Sequence, residues 1–274
     1  MADEYALGRG YAEATRLNCQ HYLWKQSLNY LISPDASLTE PNMKVADIGT
    51  GTGIWLLDLA KSLPPSTQLE GFDVSSSGYP PEEWLPSNVK LGVWNVFDEP
   101  PESLHGRYDV VHIRLFLVVI DDNDPSPILR HCLKILKPGG LLQWEEYDLH
   151  ARTVVTSRPS APRENTQRLA DFVKRDIHKW VYTLPEIFRS HELTHVSVLR
   201  RNEDLSSSRI FMDLELVLAE EFATNSLDAK GPPESGDEVR KLAKAVYAEV
   251  QQGATIRHTL QVVTGRKPCA DFDK

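Results

Sequence analysis

Seven consecutive residues, Asp47-Ile-Gly-Thr-Gly-Thr-Gly53, carry the densest chemical information in this chain. They continue a strand-like run, Met43–Ile48, and lead into a helical pattern from Ile54, so the glycines fall where a strand turns into a helix. Residues without side chains let a ligand approach the backbone amides, and the helix N-terminus behind them faces the same space. A second acid, Asp73, lies in the next strand pattern, Gln68–Val74, 22 residues after Gly51. An acidic side chain at that place accepts hydrogen bonds from both hydroxyls of a ribose. Loop and acid together point to an adenosine-containing ligand. The competing interpretation is a structural turn beside an incidental Asp.

The spacing narrows the ligand. Dinucleotide folds use G-x-G-x-x-G to admit a pyrophosphate; here the pattern is G-x-G-x-G, with Asp47 two residues ahead of Gly49. A carboxylate there repels a pyrophosphate and suits an ammonium. S-adenosylmethionine carries an ammonium, a sulfonium and no phosphate, so it matches these charges better than NAD. The loop also lacks the G-K-[ST] of a P-loop, which removes the ATPase reading. Asp47, Gly49, Thr50, Gly51, Gly53, Asp73 and the adjoining Val74 are the candidate cofactor contacts.

The elements that must position them read as alternating strands and helices, the pattern of a layered α/β fold. A helix is expected over Glu13–Ile32, stopped by Ser33-Pro34, and another over Ile54–Leu63, stopped by Pro64-Pro65. Further strands are expected at Val89–Val96, Tyr108–Arg114 and Leu141–Tyr147, the last after a Lys137-Pro-Gly-Gly140 turn, with a Pro-started helix ending at Lys137. Beyond them come a helix over Arg163–Tyr182, a strand at Thr194–Arg201, helices near Ser208–Phe222 and Asp237–Gln252, and a closing strand, Thr259–Arg266. No sharp change in composition divides the chain, so it reads as one domain with helical insertions.

Composition removes several classes. With 274 residues, 41% hydrophobic and 25% charged, the chain is neither disordered nor fibrous. Thirty basic against thirty-nine acidic residues give a net charge of −9, which repels phosphate backbones and makes nucleic acid an unexpected partner. Cys19, Cys132 and Cys269 are too dispersed for a zinc site or a disulfide framework. The N-terminal residues show no secretory pattern, and the longest apolar run, Leu115–Ile120, is too short for a membrane span. A soluble, cytoplasmic protein without membrane contact is expected, its oligomeric state open.

On these motifs the chain resembles the class I S-adenosylmethionine-dependent methyltransferases. The matching pieces are D-I-G-T-G-T-G (Asp47–Gly53), G-F-D-V (Gly71–Val74), Y-D-V-V-H-I-R (Tyr108–Arg114) and L-K-P-G-G (Leu136–Gly140), spanning about residues 43–148. More narrowly, G-R-G-Y-x-E-x-x-R-L-N-x-Q-H (Gly8–His21) and V-T-G-R-K-P (Val263–Pro268) are similar to a fungal secondary-metabolite branch that includes the gliotoxin-pathway N-methyltransferase. The resemblance implies a Rossmann-like seven-stranded sheet whose last strand is antiparallel. It implies an N-terminal helical lid over residues 1–34, and a methyltransferase domain over 35–274 with helical cap insertions at about 151–192 and 205–255. It sets Asp73 on the ribose and Asn95-Val96 beside the adenine, where many relatives carry Asp in place of Asn95. Tyr11, Arg16, Asn18 and His21 would belong to the lid that folds over the cofactor, Tyr11 and Arg16 as cofactor contacts; on their own they read as a solvated helix face.

Methyl transfer from a sulfonium is an in-line displacement, for which alignment supplies most of the acceleration. A base is needed only where the acceptor arrives protonated, as a phenol does. His112, near the C-terminal end of its strand, is the candidate base; equally it reads as a histidine hydrogen-bonded within the sheet. Arg114 suits a cofactor or substrate carboxylate, or else pairs with Glu145 or Glu146. His21, Trp24 and Glu145 are candidate substrate contacts; Trp24, with Trp144, Trp180 and Tyr182, forms an acceptor pocket or plain core. No carboxylate cluster for a metal is evident. The expected activity is methyl transfer from S-adenosylmethionine to N or O of a small-molecule acceptor. The alternatives are a cyclase that uses the bound cofactor as an electrostatic aid, and a non-catalytic regulator of secondary metabolism.

Overall fold

The expected strands assemble into one seven-stranded sheet in the computed structural model, which describes residues 7–36, 40, 42–120, 122–173, 178–232 and 234–269. Five strands run parallel: β1 (Lys44–Ile48), β2 (Gln68–Asp73), β3 (Val89–Val93), β4 (Tyr108–Arg114) and β5 (Leu136–Tyr147). The small strands β6 (Thr153–Thr156) and β8 (Ala254–Arg257) pair separately, while β7 (Thr194–Asn202) and β9 (Thr259–Arg266) complete the main sheet. The order is β3-β2-β1-β4-β5-β9-β7, and the last strand, β9, is antiparallel to both its neighbours. Strands β1 and β4 lie centrally, and Val45, Ala46, Ile48, Val110, Val111 and Ile113 are buried on both faces. That is why these segments read as continuous apolar runs. Chain order reverses between β1 and β4, and in such sheets ligands gather outside the strand ends at that switch point.

Helix α1 (Tyr11–Leu28) ends four residues before the expected stop. Asn29 takes the left-handed conformation (φ 65°) and its N–H closes on Lys25 O, so a C-cap ends the helix ahead of Ser33-Pro34. Helix α2 (Ile54–Leu59) is likewise shorter than expected, and α3 covers Ser126–Ile135. The Lys137-Pro-Gly-Gly140 turn is absorbed into β5: the register jumps from Tyr108↔Leu136 to Val110↔Leu141, a bulge at which Gly139 adopts φ 76°.

The second half departs most from expectation. In place of one helix over 163–182 there are α4 (Glu164–Val173) and α5 (Trp180–Ser190), with 174–177 outside the described residues. Trp180, Val181, Leu184 and Phe188 of α5 join the main core beside Trp144 and Val263, so this part of the expected cap insertion belongs to the sheet layer. A smaller core unites α4, α6 (Ser208–Phe222) and α7 (Asp237–Gln251) around Leu169, Met212, Val246 and Ile256, resting on the β6–β8 pair that periodicity did not reveal. Arg152 and His258 fasten this unit by reaching the α6 carboxylate Glu215. Residues 1–6 of the expected lid lie outside the described residues.

Candidate functional site

At the switch point the three loop glycines take φ values of 68°, 60° and 75°, conformations that side chains disfavour. Gly49 has a second reason: a Cβ there would sit 2.6 Å from the Phe116 ring. The amides of Gly49 and Thr50 both donate to Phe72 O (2.8 and 3.0 Å), which draws the loop onto β2. Gly51 N–H donates to Asp73 Oδ2 at 2.9 Å and Ser75 N–H to Asp73 Oδ1 at 3.2 Å. The carboxylate is thereby oriented while keeping lone pairs for further donors.

A cavity of about 430 Å³ opens over this loop, within the range of cofactor pockets. Asp47, Gly49, Thr50, Gly51 and Asp73 line its floor, and Val74, Asn95 and Val96 line one end. Asn95 and Val96 lie beyond β3, which stops at Val93, because Trp94 N–H turns back to Asp73 O and Asn95 Oδ1 takes the N–H of Phe97. Val74 and Phe97 leave apolar surface exposed there, at 53% and 46%. Helix α1 and the segment leading into it cross the cavity as a roof, contributing Glu13, Leu17 and Gln20.

Asp47 differs from the expected ammonium receptor. It is buried, and both oxygens are engaged: Oδ2 accepts from Thr50 Oγ1 at 2.6 Å, and Oδ1 lies 2.7 Å from His112 Nδ1. His112 touches the cavity wall yet is only 1% exposed, stacked flat on Trp55 with ring centroids 3.9 Å apart. Burial opposes its charge, but the hydrogen bond to Asp47 and the nearby Glu145 carboxylate outweigh it and hold the imidazole above its ordinary value. The Asp47 contact and the Trp55 stack match the second reading of His112, a histidine hydrogen-bonded within the sheet.

Other expected contacts fall away from the cavity. Tyr11 points into solvent at 90% exposure, and Arg16 is spent on a buried ion pair with Glu221 of α6 (2.9 Å). Gly53 caps α2 and packs on Leu91 instead of facing the ligand space. His21 is wholly buried against Asp58 (3.1 Å), its value lowered to about 4 by burial and by Arg114. Trp24 packs with Leu28, Leu260 and Val262, and Glu145 lies beneath the cavity, accepting from Gln143 at 2.6 Å. Trp144 and Trp180 are core, while Tyr182 is an exposed helix residue. Arg114 does reach the cavity, where Nη2 contacts His21 Nδ1 (3.3 Å) and Nη1 lies 4.0 Å from Glu145.

Sequence reasoning missed one whole wall. Leu115, Phe116, Val118 and Val119, within the apolar run dismissed as too short for a membrane, line the cavity beyond β4. Leu115 takes φ 62°, and Glu146 Oε1 accepts the Phe116 N–H at 2.7 Å, which fixes the turn. The available signal was an aperiodic apolar run just past a central strand, where loops build sites. Among the described residues no cluster of three or more His, Cys, Asp or Glu could hold a metal, and no helix is long and apolar enough to cross a membrane.

Comparison with known proteins agrees with this geometry. A family model described as a methyltransferase domain matches residues 18–203. The chain is similar to methyltransferase grgD of a Penicillium species, 29% identical over 90% of each chain. It is also similar to N-methyltransferase gliN of Aspergillus fumigatus, 32% identical over 54% of this chain and 52% of that one, so it spans about half of that relative. Among solved structures, a Haemonchus contortus phosphoethanolamine N-methyltransferase in complex with S-adenosylhomocysteine superposes with a TM-score of 0.51 at 15% identity. That superposition covers 93% of this chain and 58% of the other, and it reports on the fold alone.

Proposed function

Because this chain belongs to the methyltransferase-domain family, and is thus an S-adenosylmethionine-dependent methyltransferase, we propose that it methylates a nitrogen of a small, neutral acceptor. When bound, S-adenosylmethionine supplies an electrophilic methyl group on a sulfonium. The residues present suit that donor. Asp73, held by Gly51 N–H with lone pairs to spare, takes the ribose hydroxyls, and Asn95, Val96 and the exposed flanks of Val74 and Phe97 take the adenine. The side-chain-free loop gives the methionine portion room above Gly49 and Gly51. Asp47 shapes this floor through Thr50 and His112. Helix α1 acts as the lid that excludes water, with Gly8 and Gly10 flanking Arg9 just ahead of it.

One observation carries the choice of nitrogen: the cavity's histidine is engaged with Asp47, its Nδ1 2.7 Å from Oδ1, and lies flat on Trp55. A phenol of pKa near 10 gains from a base, whereas an uncharged nitrogen brings its own lone pair. The name of the gliN relative supports the same acceptor atom. The apolar wall of Leu115, Phe116, Val118 and Val119 fits an acceptor of low charge.

The test has two parts. Calorimetry with S-adenosylhomocysteine should show binding in the wild type, weakened by about 1–3 kcal/mol in Asp73→Ala, where two hydroxyls lose a charged acceptor. Methyl-labelled cofactor incubated with a metabolite extract should then give labelled products, whose N-methyl shifts in NMR identify the atom. Label found on oxygen would overturn the nitrogen assignment.

A further inference from the structure

Three neighbouring strands bury a set of charges that the proposed chemistry does not use. The β1–β4 register sets Asp47 opposite His112, and the β4–β5 register sets Arg114 opposite Glu145. His112 Nδ1 lies 2.7 Å from Asp47 Oδ1, and its Nε2 lies 3.7 Å from Glu145 Oε2. Neither Nε2 nor Glu145 Oε2 has a hydrogen-bond partner, and both are buried. On the side of α2 the ring meets the face of Trp55, in planes 1° apart. Contacts continue outward from Glu145. Arg114 Nη1 is 4.0 Å away, Arg114 Nη2 meets His21 Nδ1 at 3.3 Å, and His21 Nε2 meets Asp58 Oδ2 at 3.1 Å. His21 stands on α1, the roof of the cavity.

The tautomers decide how this set works. A neutral His112 carries one N–H and one lone pair. Either tautomer therefore aims a lone pair at a carboxylate, Asp47 in one case and Glu145 in the other. Only the imidazolium offers a proton to both. At His21 the logic is reversed: Arg114 donates to Nδ1, and a neutral ring still has its Nε2–H for Asp58. The acids Asp47 and Glu145 then face His112 and Arg114, and Asp58 meets Lys25 at 2.7 Å and Lys61 at 3.6 Å. Each buried acid of the set thus has a cation beside it, as buried charges require.

We infer that His112 is a positioning residue, a buried imidazolium shared by Asp47 and Glu145 that sets the carboxylate under the glycine loop and links it, through Glu145, Arg114 and His21, to the roof helix. The opposing charges of Asp47 and Glu145 hold the ring in its charged form against the cost of burial. Losing the imidazolium leaves two buried carboxylates with Arg114 alone between the strands, and the loop loses the donor that orients Asp47. The damage then falls on cofactor affinity before the chemical step. A base at this position would instead act on kcat, with activity rising as the ring loses its proton.

The inference rests on the reading of the cavity as a cofactor site, and the experiment separates the two. Nitrogen-15 NMR of the histidine-labelled wild type at pH 7.5 should show an imidazolium for His112, assigned by its loss in His112→Asn. This readout needs no cofactor, and a neutral ring overturns the inference. His112→Asn keeps a donor for Asp47 but no charge, and His112→Ala keeps neither. S-adenosylhomocysteine affinity should fall about tenfold in the first and further in the second, with KM for the cofactor rising more than kcat falls. Wild-type affinity in His112→Asn, or a loss confined to kcat, overturns it as well. A wild type that binds no S-adenosylhomocysteine but shows the imidazolium would remove the cofactor reading and leave the charge arrangement standing.

Discussion

Asp47 and Thr50 are three residues apart and meet at 2.6 Å, and Gly51 and Asp73, twenty-two apart, meet at 2.9 Å. Arg16 and Glu221, which tie the roof helix to α6, are separated by 205 residues. Thus the floor of the cavity is built by one strand–turn–helix unit and its neighbour, while the roof depends on chain segments that meet only once the whole domain has folded. The glycine loop of the floor is held by backbone conformation and short-range hydrogen bonds, with the Asp47–His112 contact beneath it. The roof is held by buried ion pairs, which stabilise only while both partners are present. Damage to the roof should therefore spread through the fold, and damage to the floor should stay near the ligand.

The largest effect is expected from Arg16→Ala. The pair is almost fully buried, with 5% and 8% side-chain exposure, so the variant strands the Glu221 carboxylate away from water. Urea denaturation should show a loss of about 3–5 kcal/mol. The double variant Arg16→Met, Glu221→Leu should recover most of it, since no charge is left unpaired. A loss under about 1 kcal/mol in the single variant would mean that packing, not the ion pair, holds the roof.

On the floor, Gly49→Ala combines the penalty for a side chain at φ 68° with a Cβ 2.6 Å from Phe116. A loss on the order of 2–3 kcal/mol should follow, along with cofactor affinity. Gly51→Ala shares the conformational penalty (φ 60°), but its Cβ meets only Leu17, at 3.4 Å, so about 1–2 kcal/mol is expected. Equal losses in the two variants would show that Phe116 yields, and that the wall beyond β4 is softer than the floor it presses on.

The same contrast governs what could be read from sequence. Tyr108–Arg114, Ser208–Phe222 and Thr259–Arg266 have the bounds that their patterns suggest, and so do the glycine loop and Asp73, because local spacing encodes each of them. A sequence displays the Arg16 cation on its helix but not Glu221, the acid it meets 205 residues later. Strand position leaves His112 open as a base or as a sheet-bound histidine, because it shows nearness to the site, whereas the bond to Asp47 depends on which strands are neighbours. The Leu115–Val119 wall has neither helical nor strand periodicity, so hydropathy alone gave it no place. Expected helix ends failed where a single backbone conformation intervened, as at Asn29.

Glu146 offers the finest test, because it joins the floor's neighbour, β5, to the missed wall. Its Oε1 accepts from Phe116 N–H (2.7 Å) and Trp144 Nε1–H (2.9 Å), while Oε2 is buried without a partner. Burial, reinforced by the charge of Glu145, pushes its carboxyl up to about 8 from an ordinary 4.5, although the hydrogen bonds pull the other way. Between those values the folded protein keeps a proton that the unfolded chain has released, so stability falls as pH rises through the window and levels off above it. Glu146→Gln keeps an oxygen for both donors and does not titrate. Its stability relative to wild type should therefore climb by about 1.4 kcal/mol per pH unit from roughly pH 5 to 8, measured by urea denaturation at each pH. Parallel curves for the two proteins would mean that Glu146 ionises at its usual value. In that case the wall rests on a carboxylate that finds water or a cation when it charges, and it would count with the roof, held by charge, rather than with the floor.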